Sequence, residues 1–561
     1  MLALTALALA VRLWGIGFRL PHASLGDERF FAGFVALMTS GEQDPELGYY
    51  FGFYPQLVPR IALALRGVPA TPSTLAGHLA RAGSDVLLLR VVTACLSVLI
   101  VPATYRIARR FLARGPSLLA AGLAGASFLG VWYSAQARPH GAFAALATLA
   151  LFAALEARRR GDLASWTLAG AAAALAVGAL QSAAFLAGAL GLAVLGAPPA
   201  RTWRQRLVPL VSLAPIAVGL RAFYPFAFAE PRPAGARPED FEGHDWNPVQ
   251  DLLPSLDGSG FAKAASAAWR YDPLITAAAA LALLAIAASA LRGRERLPRG
   301  ARAWDLAVIG GYALPFALVL GLYASTYQRY LQPFVPLAAI LAAAGLTRVA
   351  RGRAFAALAL ALCAAQSALA LRLATLRARP DTAERAAAWI EANVDRAGER
   401  IALLPGLELP LLRGEESNAW LAPFAPVAQH PWTTYQAWLD PAERARLGWR
   451  VVTPPAPTHE ERERILADPA PWVDGFDARW AVIEVHERAR TPLFARLREG
   501  LAARGTLAAR FSPWEDASDD RPFVPNDLEE PHLLQGSFVG HAWRANALGP
   551  VIEIYRLRDG G

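Results

Sequence analysis

The sequence predicts an all-α, polytopic membrane protein of about eleven transmembrane helices with an extracytoplasmic α/β domain at its C-terminal end. Of the 561 residues, 55% are hydrophobic and only 18% are charged, so the chain is more apolar than an average soluble protein. Apolar runs near the roughly 20 residues that a helix needs to cross a bilayer recur up to residue 373. Beyond that point, charged residues, proline and tryptophan are mixed as in a soluble domain.

The apolar runs define the predicted spans. We expect the first span to be a retained anchor, because MLALTALALA lacks the basic segment that begins a signal peptide. The fifth and sixth spans touch without a polar loop between them. The predicted spans are residues 2–18, 91–108, 116–133, 141–157, 164–183, 184–199, 207–223, 273–291, 304–323, 331–347 and 354–373.

The net charge of +9 comes largely from short arginine clusters between the apolar runs. The clusters occupy alternate loops, which is the positive-inside pattern, and no basic face with interleaved aromatic residues indicates nucleic-acid binding. We therefore place these loops in the cytoplasm and the C-terminal domain on the other side. A single lysine, Lys263, beside abundant arginine and alanine favours a bacterial inner membrane. The clusters lie within 106–114, 158–160, 201–206, 292–302 and 348–353.

Two domains are predicted. Residues 1–375 form the transmembrane domain, with long outer loops at 19–90 and 224–272, and residues 376–561 form the α/β domain. In the α/β domain, TAERAAAWIEANV and TPLFARLREGLAARG are predicted helices, and RIALLP, RWAVIEV, TLAARFSPW and VIEIYRLR are predicted strands. All inner loops are short, and no GxxxxGK[ST] nucleotide-binding pattern occurs, so we expect chemistry at the outer face without ATP.

Polar residues concentrate in four segments at the predicted outer face: GDERFF, FGFYPQLVPRI, WYSAQARPHGAF and STYQRYLQPFVPL. A carboxylate there can take the proton of an attacking hydroxyl group, and arginine guanidinium groups stabilise the charge that grows on a departing phosphate. This combination suits the transfer of a sugar from a lipid phosphate. The candidates are Asp27, Glu28 and His140 for catalysis, and Arg90, Arg138, Arg329 and Tyr330 for donor-phosphate binding.

The order of anchor helix, Asp-Glu motif, proline-containing loop, "SxxARP" and "RYLxPxxPL" resembles the C-type glycosyltransferase superfamily (GT-C). Within it, the chain is most similar to the protein O-mannosyltransferases and the bacterial lipid A aminoarabinose transferases. The resemblance covers about residues 1–375 and implies that Asp27 is the catalytic base or acts beside a metal, a divalent cation such as Mg or Mn. It also implies that Glu28 is the usual acidic neighbour and that Arg138 and Arg329 approach the donor phosphate.

Two positions depart from the pattern of that superfamily. Tyr54 in YPQL stands where relatives often carry a basic residue before Pro-Pro-Leu, and His140 stands where many carry a second acidic residue. A histidine at the second position suits a metal ion or a hydrogen bond to phosphate.

Structural roles are open for several of these residues. Asp27 and Glu28 suit a helix N-terminus, and Glu28 also suits an ion pair with Arg29. The arginines suit contacts with lipid headgroups, and Trp132, Tyr133 and Tyr330 suit an interfacial aromatic belt. A loose set of possible metal ligands in the second outer loop, which we expect to line the acceptor entrance instead, is Asp240, His244 and Asp245.

The sequence thus predicts an integral-membrane glycosyltransferase that moves a sugar from a polyprenyl-phosphate donor to a lipid, glycan or protein acceptor outside the cytoplasm. Its expected partners are the donor, the acceptor and membrane lipids. Two alternatives are a flippase or transporter for a lipid-linked glycan, and an outer-face glycan polymerase or ligase. The crowding of titratable residues at one face, rather than through the middle of the spans, favours the enzyme over the transporter.

Overall fold

The computed structural model describes residues 1–20, 28, 75–197, 207–223, 256–292, 300–324, 326–404, 409–414, 441–452, 459–475, 477–485, 492–516, 518–521, 523 and 538–558. In the membrane part, the described residues form α-helices and three 3₁₀ segments, Gln181–Phe185, Val208–Ser212 and Gln328–Phe334. The α-helices are α1 (Leu2–Leu13), α2 (Leu75–Ser97), α3 (Ile100–Ala108), α4 (Arg114–Gly125), α5 (Phe128–Ser134), α6 (Pro139–Arg160), α7 (Leu163–Ala179), α8 (Leu186–Leu195), α9 (Leu213–Phe223), α10 (Ser259–Tyr271), α11 (Pro273–Leu291), α12 (Ala301–Leu322), α13 (Val335–Val349) and α14 (Gly352–Arg377).

The number of spans differs from the prediction. Among the described residues, six helices are long and apolar enough to cross a membrane, and the bent pair α4 and α5 is a seventh candidate. Each predicted span falls on an apolar helix, but four of these helices have only 10–17 residues, fewer than the roughly 20 needed. The helical, multi-pass architecture is confirmed, and the count of eleven is not. The six are Val86–Ala108, Pro139–Arg160, Pro273–Leu291, Ala301–Leu322, Gln328–Val349 and Gly352–Asn393.

Small residues allow the helices of the membrane part to approach closely, as the Ala- and Gly-rich composition predicts. A Cβ atom added to Gly188 would lie only 2.2 Å from the carbonyl oxygen of Gly311, and one added to Gly170 would lie 2.2 Å from that of Ser212. Glycine is therefore required at both crossings, where α8 meets α12 and α7 meets the 3₁₀ segment before α9.

A break with a 49° bend separates α4 from α5, and an acidic side chain stabilises the start of α5. The carboxylate of Asp272 accepts hydrogen bonds from the Ser127 hydroxyl (2.6 Å), the Phe128 amide (2.7 Å) and the Leu129 amide (3.3 Å). The first amides of a helix lack partners within the helix and carry partial positive charge. A carboxylate from a distant part of the chain therefore satisfies the helix start that the break exposes.

Basic and amide side chains stabilise the other side of the same break. Arg12 donates to the carbonyl of Gly125 at the end of α4 (2.8 Å). Gln366 donates to the carbonyl of Ala126 (3.1 Å) and to Asp272 (2.8 Å). The C-terminal end of a helix carries partial negative charge. The positive Arg12 therefore stabilises the end of α4, just as the negative Asp272 stabilises the start of α5.

The C-terminal part is an α/β domain. Its described residues form a five-stranded sheet in the order β2–β1–β3–β5–β4, in which β1 pairs in parallel with β2 and β3, and β5 pairs antiparallel with β3 and β4. Its elements are α15 (Thr382–Asn393), β1 (Arg400–Leu403), α16 (Pro441–Leu447), β2 (Arg450–Val452), α17 (His459–Ala467), α18 (Ala470–Asp474), β3 (Trp480–Val485), α19 (Pro492–Arg504), β4 (Gly505–Phe511), α20 (Phe538–Arg544) and β5 (Val551–Leu557).

Helices cover both faces of this sheet. Successive side chains of a strand point to opposite faces, and buried apolar side chains on each face pack against a helix. On one face, Ile390 of α15 packs in a cluster with Ile401 and Val482. On the other face, Leu501 of α19 packs in a cluster with Ala481 and Ile483. The helix predicted from TAERAAAWIEANV is present, and its N-terminus has a capping box between Asp381 and Glu384.

The two parts are in contact through α20. The ring of Phe538 lies 4.3 Å from that of Tyr271 in α10. The guanidinium of Arg372 in α14 donates to the carbonyls of Ala542 (2.9 Å) and Ala545 (2.6 Å) at the end of α20. A cation at a helix C-terminus donates hydrogen bonds to the free carbonyls and is attracted to the negative end of the helix dipole.

The stability of this contact should depend on pH through His541. Burial among Trp514, Phe523 and Phe538, with a smaller effect from Arg521, lowers the pKa of His541 to about 4. An unfolded histidine has a pKa near 6.5, so the unfolded state binds more protons between about pH 4 and 6.5, and stability falls as pH decreases through that window.

Thermal unfolding of the purified protein at pH 7, 6, 5 and 4.5 checks this expectation. The His541→Phe variant should lose part of the decrease in melting temperature at low pH. An identical decrease in the variant and the wild type would assign the pH dependence to other groups.

Candidate functional site

The structure describes six of the seven predicted site residues. Asp27 lies outside the described residues, as do Arg29, Tyr54, Asp240, His244 and Asp245, so the predictions for them stay predictions. Two groups of the described residues emerge. The first is the pair Glu28 and Arg90, and the second is an arginine–aromatic cluster formed by Tyr133, Arg138, His140, Arg329 and Tyr330.

Glu28 forms a buried, two-pronged ion pair with Arg90. The Arg90 Nε donates to Glu28 Oε1 at 2.9 Å, and Nη2 donates to Oε2 at 2.8 Å. Both side chains are 0% exposed, so Glu28 pairs with the distant Arg90 and is buried. The ion pair forms because a carboxylate excluded from water needs a cation and hydrogen-bond donors.

Arg90 also binds the chain after α1. Its Nη1 donates to the carbonyls of Ile16 (2.8 Å) and Phe18 (2.7 Å), and its guanidinium lies 4.1 Å from the centre of the Phe18 ring. Its hydrogen bonds are therefore directed at protein atoms. These contacts indicate that Arg90 holds Glu28 and the end of the anchor segment together, rather than a donor phosphate.

Glu28 connects this ion pair to the second group. The amide of Ala137 donates to Glu28 Oε1 at 2.6 Å, and the next residue, Arg138, is the N-cap of α6. Pro139 at the first position of α6 suits a helix start. A Cβ at Gly141 would lie 2.9 Å from the Cα of Ser134, so the small residue lets α5 and α6 meet tightly. The ARPHG segment is thus fixed in one tight turn.

The arginine–aromatic cluster joins this turn to the 3₁₀ segment before α13. The His140 ring lies 5.9 Å from that of Tyr330 and 6.4 Å from that of Tyr133. The guanidinium of Arg329 lies 5.1 Å from the centre of the Tyr330 ring, within the range of a cation–π contact. Arg138 and Arg329 both act electrostatically on His140 and on Tyr133.

The structure therefore brings together Arg138, His140, Arg329 and Tyr330, as the motif order predicts, and separates Arg90 from them by its pairing with Glu28. Sequence reasoning missed Tyr133. Its side chain is 0% exposed, which does not fit the interfacial belt considered for it. The sequence signal for Tyr133 was its position just before the ARPH turn. The last turn of α5 and the first turn of α6 meet there, so Tyr133 could be expected near His140.

The same residues also bear on whether a divalent cation can bind here. Among the described residues, no three His, Cys, Asp or Glu side chains lie close enough together to hold a metal ion. Glu28 is engaged by Arg90, and His140 lies beside two guanidinium groups, which repel a cation. The described residues do not fit Mg or Mn, and the expectation of a metal at Asp27 stays a prediction.

Comparisons with known proteins place these observations in a family context. The model of the dolichyl-phosphate-mannose-protein mannosyltransferase family matches residues 69–227, a range that contains Arg90, Arg138 and His140. No curated protein matches the chain significantly.

Several solved structures are similar to the chain. The oligosaccharyltransferase AglB from Archaeoglobus fulgidus, in complex with an inhibitory peptide and a dolichol-phosphate, has 13% identity and a TM-score of 0.46, with 91% of this chain and 73% of that chain covered. ArnT from Cupriavidus metallidurans bound to undecaprenyl phosphate has 15% identity and a TM-score of 0.44, with 86% and 92% covered. The S. cerevisiae protein O-mannosyltransferase Pmt1–Pmt2 complex bound to the sugar donor has 19% identity and a TM-score of 0.30, with 40% and 32% covered. The predicted resemblance to the protein O-mannosyltransferases is confirmed for residues 69–227, the range that the family model matches.

Proposed function

We propose that the chain is an integral-membrane glycosyltransferase that moves a sugar from a polyprenyl-phosphate donor to an acceptor outside the cytoplasm. The observation that carries the proposal is that Arg138, on a turn that the buried Glu28 holds in place, and Arg329, on the 3₁₀ segment before α13, both act electrostatically on His140. Two guanidinium groups in a water-poor site suit a phosphate. The family match, whose description names a dolichyl-phosphate sugar, supports a lipid-linked donor.

In the proposed reaction, the acceptor hydroxyl attacks the anomeric carbon of the sugar, and the bond from that carbon to the phosphate oxygen breaks. Asp27 takes the acceptor proton as the reaction proceeds. Arg138 and Arg329 stabilise the negative charge that stays on the lipid phosphate. Single displacement inverts the configuration of the anomeric carbon. Glu28 and Arg90 act as positioning residues, since their contacts are with protein atoms.

The proposal is tested by the affinity for donor lipid. The Arg138→Ala and Arg329→Ala variants should bind undecaprenyl phosphate more weakly by about 1.5–3 kcal/mol, the contribution of a charged hydrogen bond. Binding can be measured by titration of the protein in lipid nanodiscs. Arg353→Ala is the matched control. Arg353 is exposed near the start of α14 and does not belong to the arginine–aromatic cluster, so it should not contribute to lipid-phosphate affinity. Equal affinity in all four proteins would assign both arginines to lipid headgroup contacts.

A second test concerns orientation in the membrane. A reporter fused after residue 375 should be active outside the cytoplasm, and fusions near Arg159 and Arg296 should report from inside, because arginine-rich loops stay in the cytoplasm. A cytoplasmic signal from the fusion at 375 would place the proposed site on the wrong side of the membrane for an extracytoplasmic acceptor.

A further inference from the structure

We propose that Tyr133 and His140 form a hydrogen-bonding pair that recognises a hydroxyl group of the transferred sugar and so selects the donor. This inference rests on the proposed function, because it assigns a second part of the donor to the same site. The arginines would hold the phosphate, and this pair would hold the sugar beside it.

The first observation is that both side chains carry polar atoms without partners. The side chains are almost fully buried, with 0% exposure for Tyr133 and 5% for His140. Within the described part of the chain, neither the Tyr133 hydroxyl nor the His140 Nδ1 has a hydrogen-bond partner. Buried polar groups are nearly always hydrogen-bonded, and an unpaired one is destabilising. A ligand that supplies the missing partners explains why two such atoms persist on neighbouring rings.

The second observation is where these atoms lie. The rings of Tyr133 and His140 are neighbours, with their centres 6.4 Å apart. Both side chains are within electrostatic reach of Arg138 and Arg329. The nearby amide of Gln328 donates to the hydroxyl of Tyr271 (3.3 Å). The unpartnered atoms therefore border the proposed phosphate site.

The chemistry of the pair indicates a hydroxyl group as the ligand. A phenol donates and accepts hydrogen bonds, and so does a neutral imidazole. A sugar hydroxyl also does both, whereas an ionised phosphate only accepts and is already suited by the guanidinium groups. Two adjacent guanidinium groups repel a metal cation. A site built to hydrogen-bond a hydroxyl rejects a ligand that lacks it, because its own polar atoms are then left unpaired.

Donor binding in nanodiscs separates this inference from the proposed function. The probes are undecaprenyl phosphate and its glycosides with glucose, mannose, galactose and arabinose. The wild type should bind at least one glycoside more tightly than undecaprenyl phosphate. Tyr133→Phe and His140→Phe should each weaken binding of that glycoside by roughly 5- to 100-fold, with affinity for undecaprenyl phosphate unchanged. His140→Asn, which keeps a polar atom near the Nδ1 position, should restore part of the loss.

Tyr312→Phe is the matched control. The Tyr312 side chain is 1% exposed, its hydroxyl is also without a described partner, and it packs against Phe316 within the helix bundle. This variant should bind every probe like the wild type, and the melting temperature of each variant shows whether it is folded.

The outcomes are distinct. A wild type that binds none of the probes contradicts the proposed function, and the inference falls with it. Variants that lose affinity for the glycoside and for undecaprenyl phosphate equally, or that lose affinity for neither, overturn the inference. The proposal of a polyprenyl-phosphate donor then still stands. Loss confined to the glycoside supports both.

Discussion

Replacement of Asp27 by asparagine should lower the rate of sugar transfer by about 10²- to 10⁴-fold, the usual contribution of a positioned general base. Asparagine keeps the shape and the hydrogen-bonding oxygen but cannot take the acceptor proton. The measurement is transfer of a labelled sugar from the undecaprenyl-phosphate glycoside that the wild type binds, with membranes as the source of acceptor. Affinity for the donor should change little, because the proposed role of Asp27 concerns the acceptor.

The alternative role of Asp27 as a helix cap has a matched control in the same chain. Asp162 is the N-cap of α7 and accepts a hydrogen bond from the amide of Ser165 (2.7 Å). Asp162→Asn should therefore leave transfer unchanged. If Asp27→Asn behaves like Asp162→Asn, then Asp27 is only a cap, and the base has to be sought at His140 or Asp245.

Replacement of Arg90 by methionine should destabilise the folded protein by about 3–5 kcal/mol, because it leaves the Glu28 carboxylate buried without its cation. The Arg90→Met/Glu28→Gln double variant should recover much of this loss, since no buried charge is then left unpaired. Glu28→Gln alone should also destabilise, because it leaves the buried Arg90 guanidinium without its counter-charge. The measurement is unfolding in detergent, followed by loss of helical signal.

The exposed ion pair of Arg160 with Glu156 (3.1 Å) provides the comparison. Pairs of this kind contribute only about 0.3–0.5 kcal/mol, so Arg160→Met should hardly change stability. Arg90→Met with a similarly small effect would show that Glu28 is not held in a water-free environment.

The sequence predicts well those features that depend on local pattern. Runs of apolar residues locate the membrane helices, and short apolar runs in the C-terminal part locate strands β1, β3, β4 and β5. The short strand β2 has three residues, too few for a pattern. Likewise, four apolar runs form helices of only 10–17 residues, because proline, glycine and 3₁₀ turns shorten a helix without changing the hydropathy of the run.

Contacts between distant residues were not predictable from pattern. Asp272 lies more than 140 positions from the helix start that it caps, and Arg377 donates to the carbonyls of Val11 (3.0 Å) and Trp14 (3.2 Å). An arginine near the end of an apolar run has the same local signature whether it contacts lipid headgroups or buried carbonyls. For the same reason, Arg90 was predicted to bind phosphate, whereas its described contacts are with protein.

The seven-residue length of α5 has a consequence for variation at this site. Asp272 fixes the first residues of α5, and Tyr133 lies five residues further along the same helix. Each inserted residue advances an α-helix by 1.5 Å and turns it by 100°, so one insertion would point the Tyr133 hydroxyl away from His140. A chain that keeps this arrangement therefore has to keep the number of residues between the cap of α5 and its tyrosine.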